Sequence, residues 1–156
     1  MFLPLSVRGR HTILSLLFLV PLAACKSGPT PINYGNELCA RCSMTISDTR
    51  YGAEIVSPTG KVYKFDSVEC MAGYYLTGNL SDRPKAKLYV TDFSKPKTLI
   101  GARTAFYLKS PDLPSPMGMN VSAFNDMEEL RAIQSKYSGT VLTWDDVLAL
   151  WSKVHG

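Results

Sequence analysis

Two eleven-residue stretches of the chain lie over one another: KVYKFDSVECM, residues 61–71, and NVSAFNDMEEL, residues 120–130. Val62 meets Val121, Phe65 meets Phe124, Asp66 meets Asn125 and Glu69 meets Glu128. In each copy an alternating segment runs into an aromatic residue, a cap-forming side chain and a capping-box Glu, which predicts the same strand-into-helix unit twice. A chain built from such a duplication is restricted to small repeated α+β modules. The copies differ at one informative place. Cys70-Met71 falls where the second copy has Glu129-Leu130, so only the first copy carries sulfur there.

The neighbouring segments extend the unit. YGAEIVSP (51–58) and KVYKF (61–65) alternate around a Pro-Thr-Gly turn and predict two strands. DSVECMAGYYLTG (66–78) predicts a helix entered at Asp66 and closed at Gly78. AKLYVTDF (86–93) predicts a third strand. The order then recurs: a strand over 104–110, a loop PDLPSPMGM, a short strand over 120–124, a helix over 125–139 and a strand over 140–144. A last helix is predicted over 145–154, capped by Asp145. The expected fold is α+β, two small homologous β-β-α-β modules with a C-terminal helix, divided as 38–98 and 99–156.

The N-terminal 24 residues read as a leader. Arg8, Arg10 and His11 form a basic flank, followed by the apolar run TILSLLFLVPLAA, residues 12–24. Thirteen residues fall short of the roughly 20 that span a bilayer and suit the apolar core of a signal peptide. The run ends in Leu22-Ala23-Ala24-Cys25, which resembles a bacterial lipobox and implies cleavage before Cys25 and lipidation of its thiol. A diacyl anchor would hold the protein stably on the outer side of a bacterial membrane. The following segment, rich in Gly, Pro and polar residues, reads as a tether through residue 37.

Removing residues 1–24 leaves 132, enough for a real core. Of 17 basic residues the leader holds Arg8 and Arg10, so against 13 acidic residues the remainder carries only +2. Such a balance, with no basic run, gives no reason to expect a nucleic-acid partner.

With Cys25 taken by lipid, Cys39, Cys42 and Cys70 remain, an odd set that argues against a pure disulfide framework but leaves room for one bridge, most easily Cys39 with Cys42. His155 is the one histidine left, so a Cys2His2 zinc site is impossible within one mature chain, and a Cys3His site would need all three thiols and this near-terminal residue. Methionine is better placed. Met44 follows Cys42 by two positions, Met71 follows Cys70 directly, and Met117 and Met119 flank Gly118 in a Pro/Gly loop. Thiolate and thioether together suit soft Cu(I) and are poor for zinc, calcium or magnesium. Met127, on a helical segment, reads as a gap filler.

The Cys-x-x-Cys-x-Met start (39–44), the FDSVECM helix entry, the MGM loop and the closing GTVLTWDDV together resemble the NosL family, over most of residues 37–150. The resemblance implies a lipid-anchored copper chaperone associated with maturation of nitrous oxide reductase, built of two β-β-α-β modules. It matches Cys42 and Met44 to the family's Cys-x-Met pair, Cys70 and Met71 to its Cys-Met after Phe-Asp, and Met117 to the Met of its Met-Gly loop. Cys39 and Met119 stand beside these as further candidate ligands. Ser43 departs from the Gly common between Cys and Met, a change that matters if the position needs positive φ. The recipient would be an extracytoplasmic cuproenzyme, nitrous oxide reductase or another, or a transporter-linked maturation complex.

Catalysis is not expected. There is no Ser-His-Asp set and no placed histidine base. Asp66, Asp145 and Asn125 read as caps, and Asp48 as solvated. The alternatives are a thiol–disulfide oxidoreductase using the Cys39/Cys42 pair, or a structural lipoprotein with packed sulfurs. Against the first, CARC follows a polar segment and opens no helical pattern, whereas redox Cys-x-x-Cys motifs commonly sit at helix starts.

Overall fold

The computed structural model describes residues 28–156; the expected leader, the lipobox and Cys25 lie outside the described residues. Two antiparallel sheets carry the fold. The first is formed by β1 (Ala53–Val56), β2 (Val62–Phe65), β3 (Lys87–Thr91) and β4 (Leu99–Gly101), in the order β2-β1-β3-β4. The second is formed by β5 (Phe106–Lys109), β6 (Val121–Phe124) and β7 (Thr140–Leu142), in the order β6-β5-β7. Helix α1 (Val68–Thr77) follows β2, α2 (Met127–Gln134) follows β6, and α3 (Trp144–His155) ends the chain.

The duplication is visible in the topology. In each module the first strand is central, its hairpin partner lies on one side and the post-helix strand on the other. The registers match too: Ala53 pairs with Phe65 and Phe106 with Phe124, so the aligned phenylalanines close equivalent hairpins. Both are fully buried. The α+β class with two β-β-α-β modules and a C-terminal helix is therefore observed. Beyond it, β4 pairs with β3 although it lies past residue 98, and so belongs to the first sheet.

The helix caps correct the sequence expectation by one residue in both copies. Ser67, not Asp66, caps α1, its hydroxyl accepting from the Cys70 N–H. Asp126, not Asn125, caps α2, accepting from the Glu128 and Glu129 N–H groups. At α3 the cap is Thr143, in a reciprocal capping box with Asp146, rather than Asp145. At α1 and α2 the expected cap sat beside a second residue able to do the same job, and each strand ended at the expected phenylalanine.

The two modules share a main core, and Leu108, Leu113, Phe124 and Leu130 form a second, smaller cluster. Phe65, Cys70, Met71, Tyr107, Val121, Trp144, Val147 and Trp151 belong to a single buried cluster drawn from both sheets and from α1 and α3. A parallel bridge between Asp92 and Ala123 joins the sheets. Gly73 lets α3 approach α1, since a Cβ there would lie 2.7 Å from the Trp151 ring.

The tether expectation is corrected for residues 30–37. Glu54 is fully buried, and its carboxylate accepts from Thr30 N–H at 2.9 Å and Thr30 Oγ–H at 3.0 Å. Lys64 Nζ donates to the Pro31 carbonyl and to Glu37, at 2.8 and 2.7 Å. Tyr34 bonds Thr91 at 3.1 Å. Polar composition suggested freedom, but two buried-face side chains of β1 and β2 recruit this segment as partners.

Candidate metal centre

Residues 39–44 form a closed loop rather than a helix start. The Cys39 N–H donates to the Met44 carbonyl at 2.8 Å, the Ser43 N–H donates to the Cys39 carbonyl at 2.9 Å, and Leu38 bridges Thr45. Ser43 takes φ 62°, in the left-handed region that favours glycine. This reversal turns Cys42 back beside Cys39. The loop is pinned to β2 by the Ala40 N–H, which donates to the Lys64 carbonyl at 2.8 Å. It therefore sits next to the β2–α1 junction, where Asp66 and Cys70 lie.

One ligand atom each from Cys39, Cys42, Asp66 and Cys70 lies within 4.8 Å of all the others. Cys39 and Cys70 are buried; Cys42 is half-buried and is the member that meets solvent. Its thiol donates to Asp66 Oδ2 at 3.4 Å, while Ser67 Oγ–H donates to Oδ1 at 3.3 Å. All three cysteines are free thiols.

The three thiols are electrostatically unequal. The Cys70 thiol hydrogen-bonds Cys39 and, with backbone N–H groups of residues 41, 42 and 66, holds Cys39 down at about 6 from an ordinary 9.0, against the cost of burial. Burial, with Cys39 and Asp66 nearby, pushes Cys42 up to about 11. The bond to Cys39 comes first in pushing Cys70 well above the thiol range, followed by burial and Asp66. The metal-free cluster thus favours one shared thiolate, and a thiophilic cation arriving there displaces the remaining protons.

The methionines surround this cluster unevenly. Met71 is fully buried in the common core, because adjacent helix positions point about 100° apart and Cys70 takes the cluster side. Met44 is 54% exposed and stands at the mouth of a cleft of about 420 Å3 that it lines with Asp66 and Pro114–Pro116. Met117 and Met119 border a second, narrower cleft with Cys70, Glu69, Arg41, Trp151 and His155. Met119 is buried and Met117 half-buried. His155 stacks on Trp151 at 4.4 Å, and the Arg41 guanidinium lies 5.0 Å over the same indole. Phe65, Tyr63 and Tyr74 form an aromatic cluster in the core beside α1.

The structure thus joins Cys39, Cys42 and Cys70, sets Met44, Met117 and Met119 around them, and leaves Met71 in the core. Sequence reasoning missed Asp66 as a site residue. The signal available was the Asp-Ser pair: two adjacent cap-formers leave one without a capping job. Glu69 was also missed, since a capping-box reading accounted for it. Its carboxylate is instead buried, accepting from Ser115 Oγ–H and the Val121 N–H, and burial raises its pKa.

Comparison with known proteins identifies the family and the fold. The NosL family profile matches residues 30–151. The copper-binding lipoprotein NosL of Stutzerimonas stutzeri is 28% identical over 156 residues, covering 89% of this chain and 80% of the relative. The crystal structure of the copper chaperone NosL from Shewanella denitrificans superposes with a TM-score of 0.65 at 22% identity, covering 76% of this chain and 94% of that one, and so shares the fold. The profile spans most of the chain, including every residue of the thiol cluster: the chain belongs to the NosL family.

Proposed function

We propose that this protein is a Cu(I)-binding chaperone that carries copper as cargo on Cys39, Cys42 and Cys70, with Asp66 beside them. The observation that carries the reading is three free thiols and one carboxylate converging within 4.8 Å in a NosL-family chain. Sulfur donors select soft Cu(I), and thioethers stand nearby, Met44 at a cleft lined by Asp66 and Met117 and Met119 at a cleft lined by Cys70.

Transfer follows from the uneven burial. Cys39 and Cys70 are enclosed, while Cys42 and the exposed Met44 face solvent. A thiolate or thioether of a recipient reaches the ion from that side first and displaces the Cys42 donor before the buried pair lets go. The freed Cys42 thiolate takes a proton from solvent and donates again to Asp66, as in the metal-free geometry. Apart from metal–ligand bonds only thiol protons are exchanged, lost to solvent as copper arrives and regained as it leaves, so the protein acts as a carrier and not as an enzyme.

The relative's lipoprotein character and the Leu22–Cys25 lipobox support an anchor at Cys25 on the outer face of a bacterial membrane, with a cuproenzyme such as nitrous oxide reductase as recipient. X-ray absorption of the Cu(I)-loaded protein tests the carrier reading: a sulfur-dominated shell that loses scatterers in Cys42→Ser supports it, and an oxygen- or nitrogen-dominated shell contradicts it. Release of Cys25→Ala from the membrane fraction tests the anchor.

A further inference from the structure

Glu69 sits in α1 beside Cys70 and is only 2% exposed. A buried carboxylate is costly unless its oxygens are satisfied. One oxygen, Oε1, accepts from Ser115 Oγ–H and, at 3.5 Å, from the Val121 N–H; the other, Oε2, has no hydrogen-bond partner among the described residues. An apolar side chain would fill the same space at lower cost, so packing alone does not account for a carboxylate here.

Its partners are the two ends of the Met loop. Ser115 Oγ also accepts from the Asn120 N–H at 2.8 Å, and Asn120 Oδ1 accepts from the Ser115 N–H at 3.2 Å, closing residues 115–120 into a ring. Inside the ring the Gly118 N–H donates to the Ser115 carbonyl at 3.1 Å, and Gly118 and Asn120 take φ of 79° and 61°. Met117 and Met119 lie within this ring and border the cleft shared with Glu69 and Cys70. One carboxylate thus ties the loop bearing two thioethers to the helix bearing a thiol.

We propose that Glu69 is a positioning residue for copper: it latches the Met117–Met119 loop of the second module against Cys70 of the first, so that the thioethers are presented to the metal. This rests on the Cu(I) reading of the cluster. Glu69 itself holds no metal; it acts through Ser115 and Val121. Outer-shell contacts of this kind set ligand orientation and carry roughly 10- to 100-fold of metal affinity.

The test is a double-mutant cycle on the full-length, detergent-solubilised protein, read by Cu(I) competition with a chromophoric chelator. Glu69→Ala weakens Cu(I) binding roughly 10- to 100-fold, whereas Glu69→Gln, which keeps an acceptor for both donors, retains most of it. In a Met117→Leu/Met119→Leu background Glu69→Ala adds less than about twofold, because the groups it positions are gone. Equal losses in both backgrounds, or no loss from the methionine changes themselves, overturn the proposal. Amide exchange of the metal-free protein gives a second readout: Glu69→Ala accelerates exchange at residues 117–120 and leaves β1–β3 protected, and unchanged loop exchange overturns the latch. If Glu69→Ala fails to fold, the same comparisons use Ser115→Ala, which removes only the hydroxyl bridge. Failure of the wild type to take up Cu(I) would sink the copper reading, and the exchange data would still decide the latch.

Discussion

Cys42 Sγ lies 3.4 Å from Asp66 Oδ2, although 24 residues separate them in the chain. The contact places a hard carboxylate at the edge of a soft thiol set, next to the thiol that meets solvent. Asp66 is itself buried and oriented by Ser67, so it is held for this contact rather than solvated. Asp66→Asn preserves shape and removes the negative charge. It is expected to lower Cu(I) affinity by roughly 10- to 100-fold while leaving secondary structure unchanged. Chelator competition and circular dichroism on the same samples check both halves.

The methionines differ in setting: Met71 is packed in the core and Met117 borders the cleft beside Cys70. Met71→Leu conserves volume in a packed site and is expected to cost less than about 1.5 kcal/mol of stability, with Cu(I) affinity unchanged. Met117→Leu, at the cleft beside Cys70, is expected to weaken Cu(I) binding with little change in the unfolding midpoint. Opposite outcomes would move the donor from the loop to the helix.

Much of the architecture was legible because it repeats. The alternation around Pro-Thr-Gly and the aligned Val62/Val121 and Phe65/Phe124 pairs pointed to β2 and β6, and both phenylalanines fell into the core. The three cysteines were visible as a set because Cys25 is the one other cysteine and histidine is nearly absent, with methionines beside them in the sequence. Asp66 was not, because local rules assign it a cap and only the tertiary fold brings Cys39 and Cys42 to it. The short β4 carries little pattern in three residues, and its pairing to β3 is a property of the sheet. The 30–37 strap was hidden for the same reason: Glu54 and Lys64 create its binding face only once β1 and β2 have formed.

The Cys39 environment predicts a pH dependence of folding. Hydrogen bonds from Cys70 and nearby N–H groups hold the folded thiol at about 6, below its ordinary 9.0. Between these values the folded state carries a thiolate while the unfolded state still binds the proton, so stability rises with pH. The contribution is complete above 9 and is lost as pH falls through 6. Denaturant unfolding of the reduced, metal-free protein at pH 5.5 and 8 is expected to show this rise, and Cys39→Ser is expected to flatten it. Cys42 and Cys70 are shifted the other way, which limits the gain to the window below 9.

Ser43 accepts a backbone conformation that suits glycine. Ser43→Gly is expected to be neutral or to stabilise by up to about 1 kcal/mol, and Ser43→Val to destabilise by about 1–2 kcal/mol, since a β-branched residue at positive φ is strained. Because the turn sets Cys42 against Cys39, the valine variant should also bind Cu(I) more weakly. Unfolding midpoints with parallel copper titrations check the pair.

The central claim is that the converging thiols hold Cu(I). It is tested most directly by titrating Cu(I) into the reduced protein against a competing chromophoric chelator, with Cys42→Ser alongside. One equivalent taken up tightly by the wild type, with a loss in Cys42→Ser exceeding the roughly 10- to 100-fold of an outer-shell change, is the expected result. A wild type that cannot compete for the ion, or a Cys42→Ser protein that binds as well as wild type, would contradict it.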